Sequence, residues 1–235
     1  MDDLMDLFSQ ISAKQQPLRL INTYKGLTIS DDAQIIDNSQ GYITLRVTEL
    51  QAACLALDGK TYIQNELLPQ LYKAHAVTVD MVKKETVLTE FTNAGQSIGK
   101  RISNRVQPRV PVEVEICCGE HHITGKVADI SSKGMGIYTF AAYIYGELPF
   151  IKNSEIYIDM KLPGSEKVIR VPGKVTNIVK QQGTLLHRLG IRILSNRKTG
   201  SQLSVYITKR QKEIARELMA IYEVMCQEPQ SRYRP

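Results

Sequence analysis

The chain has 235 residues, 43% of them hydrophobic and 23% charged, with a formal net charge of +6. No apolar run is long enough to span a bilayer, and the acidic start, MDDLMDLFSQISAKQQ, lacks the basic head and apolar core of a secretory signal. Four cysteines without a CxxC spacing do not make a disulfide framework and fit a reducing, cytoplasmic compartment.

Charge is unevenly placed. Residues 1–95 carry 8 Lys/Arg against 12 Asp/Glu, a net −4, whereas residues 96–235 carry 22 against 12, a net +10. That asymmetry predicts two domains, the second of which meets an anion.

In chain order, Leu4, Leu7, Phe8 and Ile11 mark one face of a short amphipathic helix. PLRLINTY, AQIIDN and GYITLRV read as strands; in the last, Ile43, Leu45 and Val47 alternate with Tyr42, Thr44 and Arg46. ELQAACLAL reads as a short helix or buried turn. HAVTVDMV and ETVLTEF form a hairpin with Lys83 and Lys84 at its tip. NAGQSIGKRISN, residues 93–104, replaces the periodic pattern with small and polar residues and reads as a linker. Six strands follow, near 111–118, 121–129, 134–140, 154–160, 166–179 and 184–194, punctuated by Pro163-Gly164, Pro172-Gly173 and Gly183. So many short strands with turn signals predict a small closed barrel. A helix then runs from an N-cap at Ser201 towards Pro229, with Leu203, Ile207, Ile214, Leu218, Ile221 and Met225 as its apolar stripe. The stripe is expected to pack on the barrel, with dimerisation as the alternative.

The expected fold is therefore mainly β, with two β-barrel-like domains in tandem, the second six-stranded and followed by a C-terminal helix. Its parts are an N-terminal β-rich domain over 1–95 for partner binding or regulation, a linker over 96–109, and a second domain with its helix over 110–228.

Two motifs carry chemistry. KRISNRVQPR, residues 100–109, holds Lys100, Arg101, Arg105 and Arg109 and no acid. An arginine fork can hold phosphate bidentately, pair with guanine O6 and N7, or stack on a base. Two arginines four apart in a linker can close around a compact polyanion. The second motif is ADISSKGMGIY, with the pattern Asp129-x-Ser131-x-x-Gly134. A short carboxylate can accept from the N1 and N2 donors of a guanine edge, a serine hydroxyl can serve a phosphate or base, and Gly134 permits a turn, a bulge or close ligand approach. The plainer reading of the second motif is a hairpin turn whose Asp and Ser bond local backbone.

The order RxxxR, about two strands, then DxSxxG resembles the PilZ domain, a bacterial receptor for cyclic di-GMP. VQPRVPVEVEI looks like that family's first strand, HRLGIRI, with Gly190, looks like its closing strand, and the helix beside the barrel agrees; the resemblance covers roughly residues 98–225. It implies that Arg101 and Arg105 clamp guanine and phosphate while Asp129, Ser131 and Gly134 form the barrel half of the site. Arg105-x-x-x-Arg109 also fits RxxxR. The first register is preferred because it sets Pro111 and the strand at the usual distance, leaving Arg109 at the strand edge within reach of a phosphate. Lys100 stands where many members have a further arginine and supplies charge without a flat stacking face. An acidic β unit before the domain resembles the two-domain, flagellar-brake type.

The resemblance implies a non-enzymatic effector, monomer or dimer, with no cofactor beyond its ligand cyclic di-GMP. It would convert nucleotide binding into an interdomain rearrangement that regulates a protein partner, such as flagellar or other surface machinery. The alternatives are a PilZ-like adaptor that binds no nucleotide and a basic nucleic-acid-binding protein; against the latter, aromatics are 6% with no Trp, so no basic–aromatic stacking surface is evident. No GxSxG, Walker loop or HExxH occurs. Cys117, Cys118, His121 and His122 lie within six residues, but adjacent strand residues face opposite ways, so these four are not expected to converge on a metal.

Overall fold

A computed structural model describes residues 2–39, 41–95, 104–140, 148–194, 197–227 and 232–233. Lys100 and Arg101 lie outside the described residues. The chain divides into two compact units: residues 1–102 with 213–235, and residues 103–212.

The first unit opens with helix α1 (Asp2–Ala13). Strands β1 (Leu18–Tyr24), β2 (Leu27–Ser39) and β3 (Tyr42–Arg46) follow, then helix α2 (Glu49–Asp58), β4 (Lys60–Gln64), β5 (Tyr72–Asp80) and β6 (Glu85–Asn93). The strands order as β5-β4-β1-β2-β3-β6, and β5 pairs with β6 to close the barrel. Closure pairs the edge strands, which removes the free N–H and C=O rows that an open sheet presents. β13 (Arg232–Tyr233) adds to β5 at Val79–Asp80, beyond the stretch 72–75 that β4 covers. The β1–β2 hairpin turns on Lys25 and Gly26, both at positive φ (47° and 83°). Such a two-residue turn matches the twist of the strands it joins.

Sequence alternation becomes burial. In β3, Ile43 and Leu45 are fully buried while Tyr42 and Arg46 are exposed. On α1, Leu4, Phe8 and Ile11 enter the core and Leu7 lies half-buried against it. The Phe8 ring meets Phe91 at 5.1 Å and 55°, the tilted arrangement aromatic pairs favour. Helix α2 is capped at both ends: the Thr48 hydroxyl accepts from the Gln51 N–H, and Gly59, left-handed at φ 65°, donates to the Leu55 carbonyl.

The Lys83–Lys84 tip does more than face solvent. Lys84 donates to Glu49 in the first turn of α2 at 2.8 Å, and its carbonyl accepts from the Val47 N–H at 2.9 Å. The end of the C-terminal helix also belongs to this unit: the Tyr222 hydroxyl donates to the Met81 carbonyl at 2.9 Å, and burial foremost pushes its ionisation up to about 12.

The second unit is a closed antiparallel barrel of β7 (Glu113–Cys118), β8 (His121–Ile130), β9 (Gly134–Phe140), β10 (Glu155–Lys161), β11 (Val168–Lys180) and β12 (Leu186–Ile193). Its order is β10-β11-β12-β9-β8-β7, with β7 returning to β10. Ile116, Ile137, Ile158, Val171, Val175 and Leu189 are fully buried in it. Helix α3 (Arg197–Gln227) follows, and Leu203, Ile207, Ile214 and Leu218 of its stripe are buried. The helix begins four residues before the expected N-cap, so Ser201 sits inside it rather than at its start. Gly200 discourages an interior helical position by about 1 kcal/mol, a local cost that the packing of the following apolar stripe outweighs.

The packing of α1 and the Lys84–Glu49 contact can each be tested. Phe8→Ala should lower the stability of the first unit by about 3–5 kcal/mol, read from urea unfolding. The Lys84 hydrogen bond, its largest cause, holds Glu49 below the ordinary glutamate range. A depressed folded value means that the stability this pair adds is present above the unfolded value of about 4.3 and is lost as pH falls through the lowered one. In a carboxyl-carbon NMR titration, Lys84→Ala should move the Glu49 midpoint upward; an unmoved midpoint would contradict the assigned cause.

Candidate functional site

The DxSxxG stretch spans the end of β8, the turn and the start of β9. The Ser131 hydroxyl donates to the Gly134 carbonyl at 2.9 Å and accepts from the Gly134 N–H at 3.1 Å, while the Ser131 N–H donates to the same carbonyl at 2.8 Å. Ser131 is 1% exposed, so its side chain is engaged in building the turn. Gly134 serves closure: a Cβ there would stand 2.5 Å from the Ile191 carbonyl oxygen of β12. That strand can approach only because the side chain is missing.

Asp129 behaves differently from a turn former. The β8–β9 register shifts between Val127 and Asp129, and a bulge of this kind re-aims the side chain that follows it. Asp129 then lies opposite Gly136. A Cβ on Gly136 would meet Asp129 Oδ2 at 2.7 Å, so the absent side chain is the room in which the carboxylate sits. Its two oxygens accept from two arginines: Arg105 Nη1 to Oδ1 at 2.7 Å, and Arg188 Nη2 to Oδ2 at 2.7 Å. The Asp129 side chain is 11% exposed, against 34% for Arg105 and 52% for Arg188.

Each arginine is positioned by backbone. Val106 and Ile130 exchange both N–H···O bonds at 2.9 Å, which lays Arg105 beside Asp129. Arg210 of α3 donates to the Gln107 carbonyl at 2.9 Å and fastens the same segment. Arg188 comes from β12, where it pairs with Tyr138 of β9, and its guanidinium lies 5.9 Å over the Tyr138 ring. The result is a nearly buried carboxylate beneath two part-exposed guanidinium planes and an exposed tyrosine. Permanent cations with flat faces suit a planar, anionic ligand, by charge and by stacking.

Of the residues expected from sequence, the structure brings Arg105 and Asp129 into direct contact and sets Ser131 and Gly134 in the adjoining turn. Arg109 is exposed in a bend and is not one of the arginines on Asp129. Arg188, Gly136 and Tyr138 escaped sequence reasoning. A signal for Arg188 was present: in HRLGIRI it stands two residues before Gly190, hence on the same strand face.

Residues 100–209 match the family model of the PilZ domain. The second barrel is a PilZ domain. Among solved structures, the chain resembles YcgR from Escherichia coli in complex with c-di-GMP at 14% identity, over 91% of each chain, with a TM-score of 0.42. It also resembles the Bacillus subtilis inhibitor of motility, MotI/DgrA, at 12% identity over 84% of this chain and 96% of that one, TM-score 0.44. The K. pneumonia MrkH–c-di-GMP complex is matched at 10% identity over 92% and 96%, TM-score 0.43. No curated protein sequence matches the chain.

The role of Gly136 in the PilZ domain is open to direct test. Gly136→Ala should cost about 1–3 kcal/mol through overpacking against the Asp129 carboxylate, measured by chemical denaturation. Combining it with Asp129→Ala should recover part of that loss, because the clashing group is gone. Strict additivity would show that the two positions are not coupled.

Proposed function

We propose that this protein is a cyclic di-GMP effector whose PilZ domain takes the nucleotide at the Arg105–Asp129–Arg188 cluster. The observation that carries the reading is the Asp129 carboxylate, presented by a bulge and already aligned to accept two N–H donors side by side. The N1–H and N2–H of a guanine edge present two such donors. To reach Asp129 they must displace at least one arginine, and the arginine set free can turn to a phosphate or to a base plane. Binding is thus an exchange of donors on one carboxylate, which limits the desolvation cost of placing a charge against the ligand.

In this reading Arg105 is the hinge of the response. Arg101 and Lys100 join it from the linker, Arg109 faces a phosphate, and Ser131 and Gly134 hold the turn that frames the carboxylate. Capture of the nucleotide draws these arginines onto it and drives an interdomain rearrangement that regulates a protein partner in motility or another surface-related output. The nucleotide must favour one arrangement over the other for any switching to follow. The protein acts by binding rather than catalysis, and its place is the cytoplasm, where such a messenger is met. Among the described residues no helix is long and apolar enough to cross a membrane.

The test is calorimetric titration of the full chain with cyclic di-GMP, alongside Arg105→Ala, Asp129→Ala and Arg188→Ala. Wild-type protein should bind, and Arg105→Ala should lose about 1–3 kcal/mol if its contact to guanine is bidentate. Loss at Asp129 should accompany it. Absence of binding to the wild type would favour the nucleotide-free adaptor, and an Arg105→Ala protein of undiminished affinity would remove that residue from the site.

A further inference from the structure

The outer face of the β7–β8 hairpin gathers three donors of different chemistry. Cys117 and His122 are register partners across the hairpin, and Glu115 lies two residues before Cys117, on the same strand face. His122 Nδ1 stands 2.9 Å from Glu115 Oε1 and 3.5 Å from Cys117 Sγ. One ligand atom from each residue lies within 4.8 Å of the other two. Cys118 points the other way, its Sγ 3.8 Å from the Glu155 carbonyl. Strand alternation thus separates the two cysteines, while the pairing of β7 with β8 assembles a cross-strand set that residue spacing alone does not display.

We propose that Glu115, Cys117 and His122 form a site for Zn2+ or a similar divalent transition-metal ion, with water in the fourth position. Bond lengths of about 2.3 Å to sulfur and about 2.0–2.1 Å to nitrogen at a tetrahedral angle set those two atoms about 3.5 Å apart, matching the Cys117–His122 separation. A carboxylate oxygen and an imidazole nitrogen on the same ion would be about 3.3 Å apart, so Glu115 has to withdraw a few tenths of an ångström. Its side chain is 51% exposed and that of His122 56%, which permits the adjustment and opens the fourth position to solvent. A thiolate with an imidazole selects zinc-like ions over magnesium or calcium.

The surroundings fit a divalent charge. Asp159 of β10 pairs in register with Glu115, and Arg170 binds it through Nε at 2.8 Å and Nη2 at 2.6 Å. With the Cys117 thiol ionised, Glu115, Cys117 and Asp159 contribute three negative charges and Arg170 one positive, leaving −2 for the ion to balance. On coordination the thiol proton passes to solvent. His122 and Asp129 stand seven residues apart on β8, about 23 Å along an extended strand. The metal site is thus separate from the nucleotide reading and does not depend on it.

The test uses the full chain, stripped with chelator, kept reduced and titrated with Co2+ as a spectroscopic stand-in for zinc. A sulfur-to-cobalt charge-transfer absorption should appear, saturate at one ion per chain and be abolished by excess Zn2+. It should be lost in Cys117→Ser and in His122→Gln and retained in Cys118→Ser. His122 is exposed, so its variant keeps the test decisive if Cys117→Ser fails to fold. A wild-type protein without the band, or a band that persists in His122→Gln, overturns the proposal.

Discussion

A nearly buried carboxylate needs hydrogen-bond donors from the protein, and Asp129 obtains both of its donors because the second barrel brings distant segments to it. Arg105 reaches it from 24 residues upstream and Arg188 from 59 residues downstream. The first approach needs the Val106–Ile130 bridge; the second needs β12 to lie in register against β9. The bulge before Asp129 and the bare Cα of Gly136 then give the carboxylate a direction and a volume. Removing either arginine leaves a nearly buried carboxylate with one donor fewer, which costs more than the pair itself contributes. The site and the barrel are in this sense a single constraint.

The second barrel was largely legible in the sequence because its strands alternate and its turns are punctuated. Each of β7 to β12 lies within about two residues of its expected span, the ordinary uncertainty of strand ends. Asp129 and Arg105, which meet in the structure, drew notice as candidates because each belongs to a motif whose residue types have a specific use. Less of the first barrel could be read. β4, KTYIQ, is five residues long and follows α2 after a single glycine; its polar residues outnumber its apolar ones, and only pairing with β1 and β5 makes it a strand. The length of β2 was likewise hidden by its acidic middle.

What stayed hidden at the site has a common cause. Arg188, Gly136 and Tyr138 meet through the register of β9 with β12 and β8, and register is a property of pairs of strands, not of any one segment. The Glu115–Cys117–His122 group is the same case. Along the chain the conspicuous feature is the Cys117-Cys118 doublet, yet the pleat divides it. The members that do meet are separated by a hairpin turn. Motif reading finds residues that are neighbours in sequence; a sheet makes neighbours of others.

The division of the chain has a consequence for its synthesis. The first unit is interrupted: it uses residues 1–102 and then 213–235, whereas the second is complete within 103–212. Domains tend to fold as they leave the ribosome, N-terminal part first. Here the PilZ barrel has all of its strands before Tyr222 exists to bond Met81. The unit begun first is therefore finished last, and a chain cut after the PilZ domain would carry an intact second barrel behind a first one still lacking the end of helix α3.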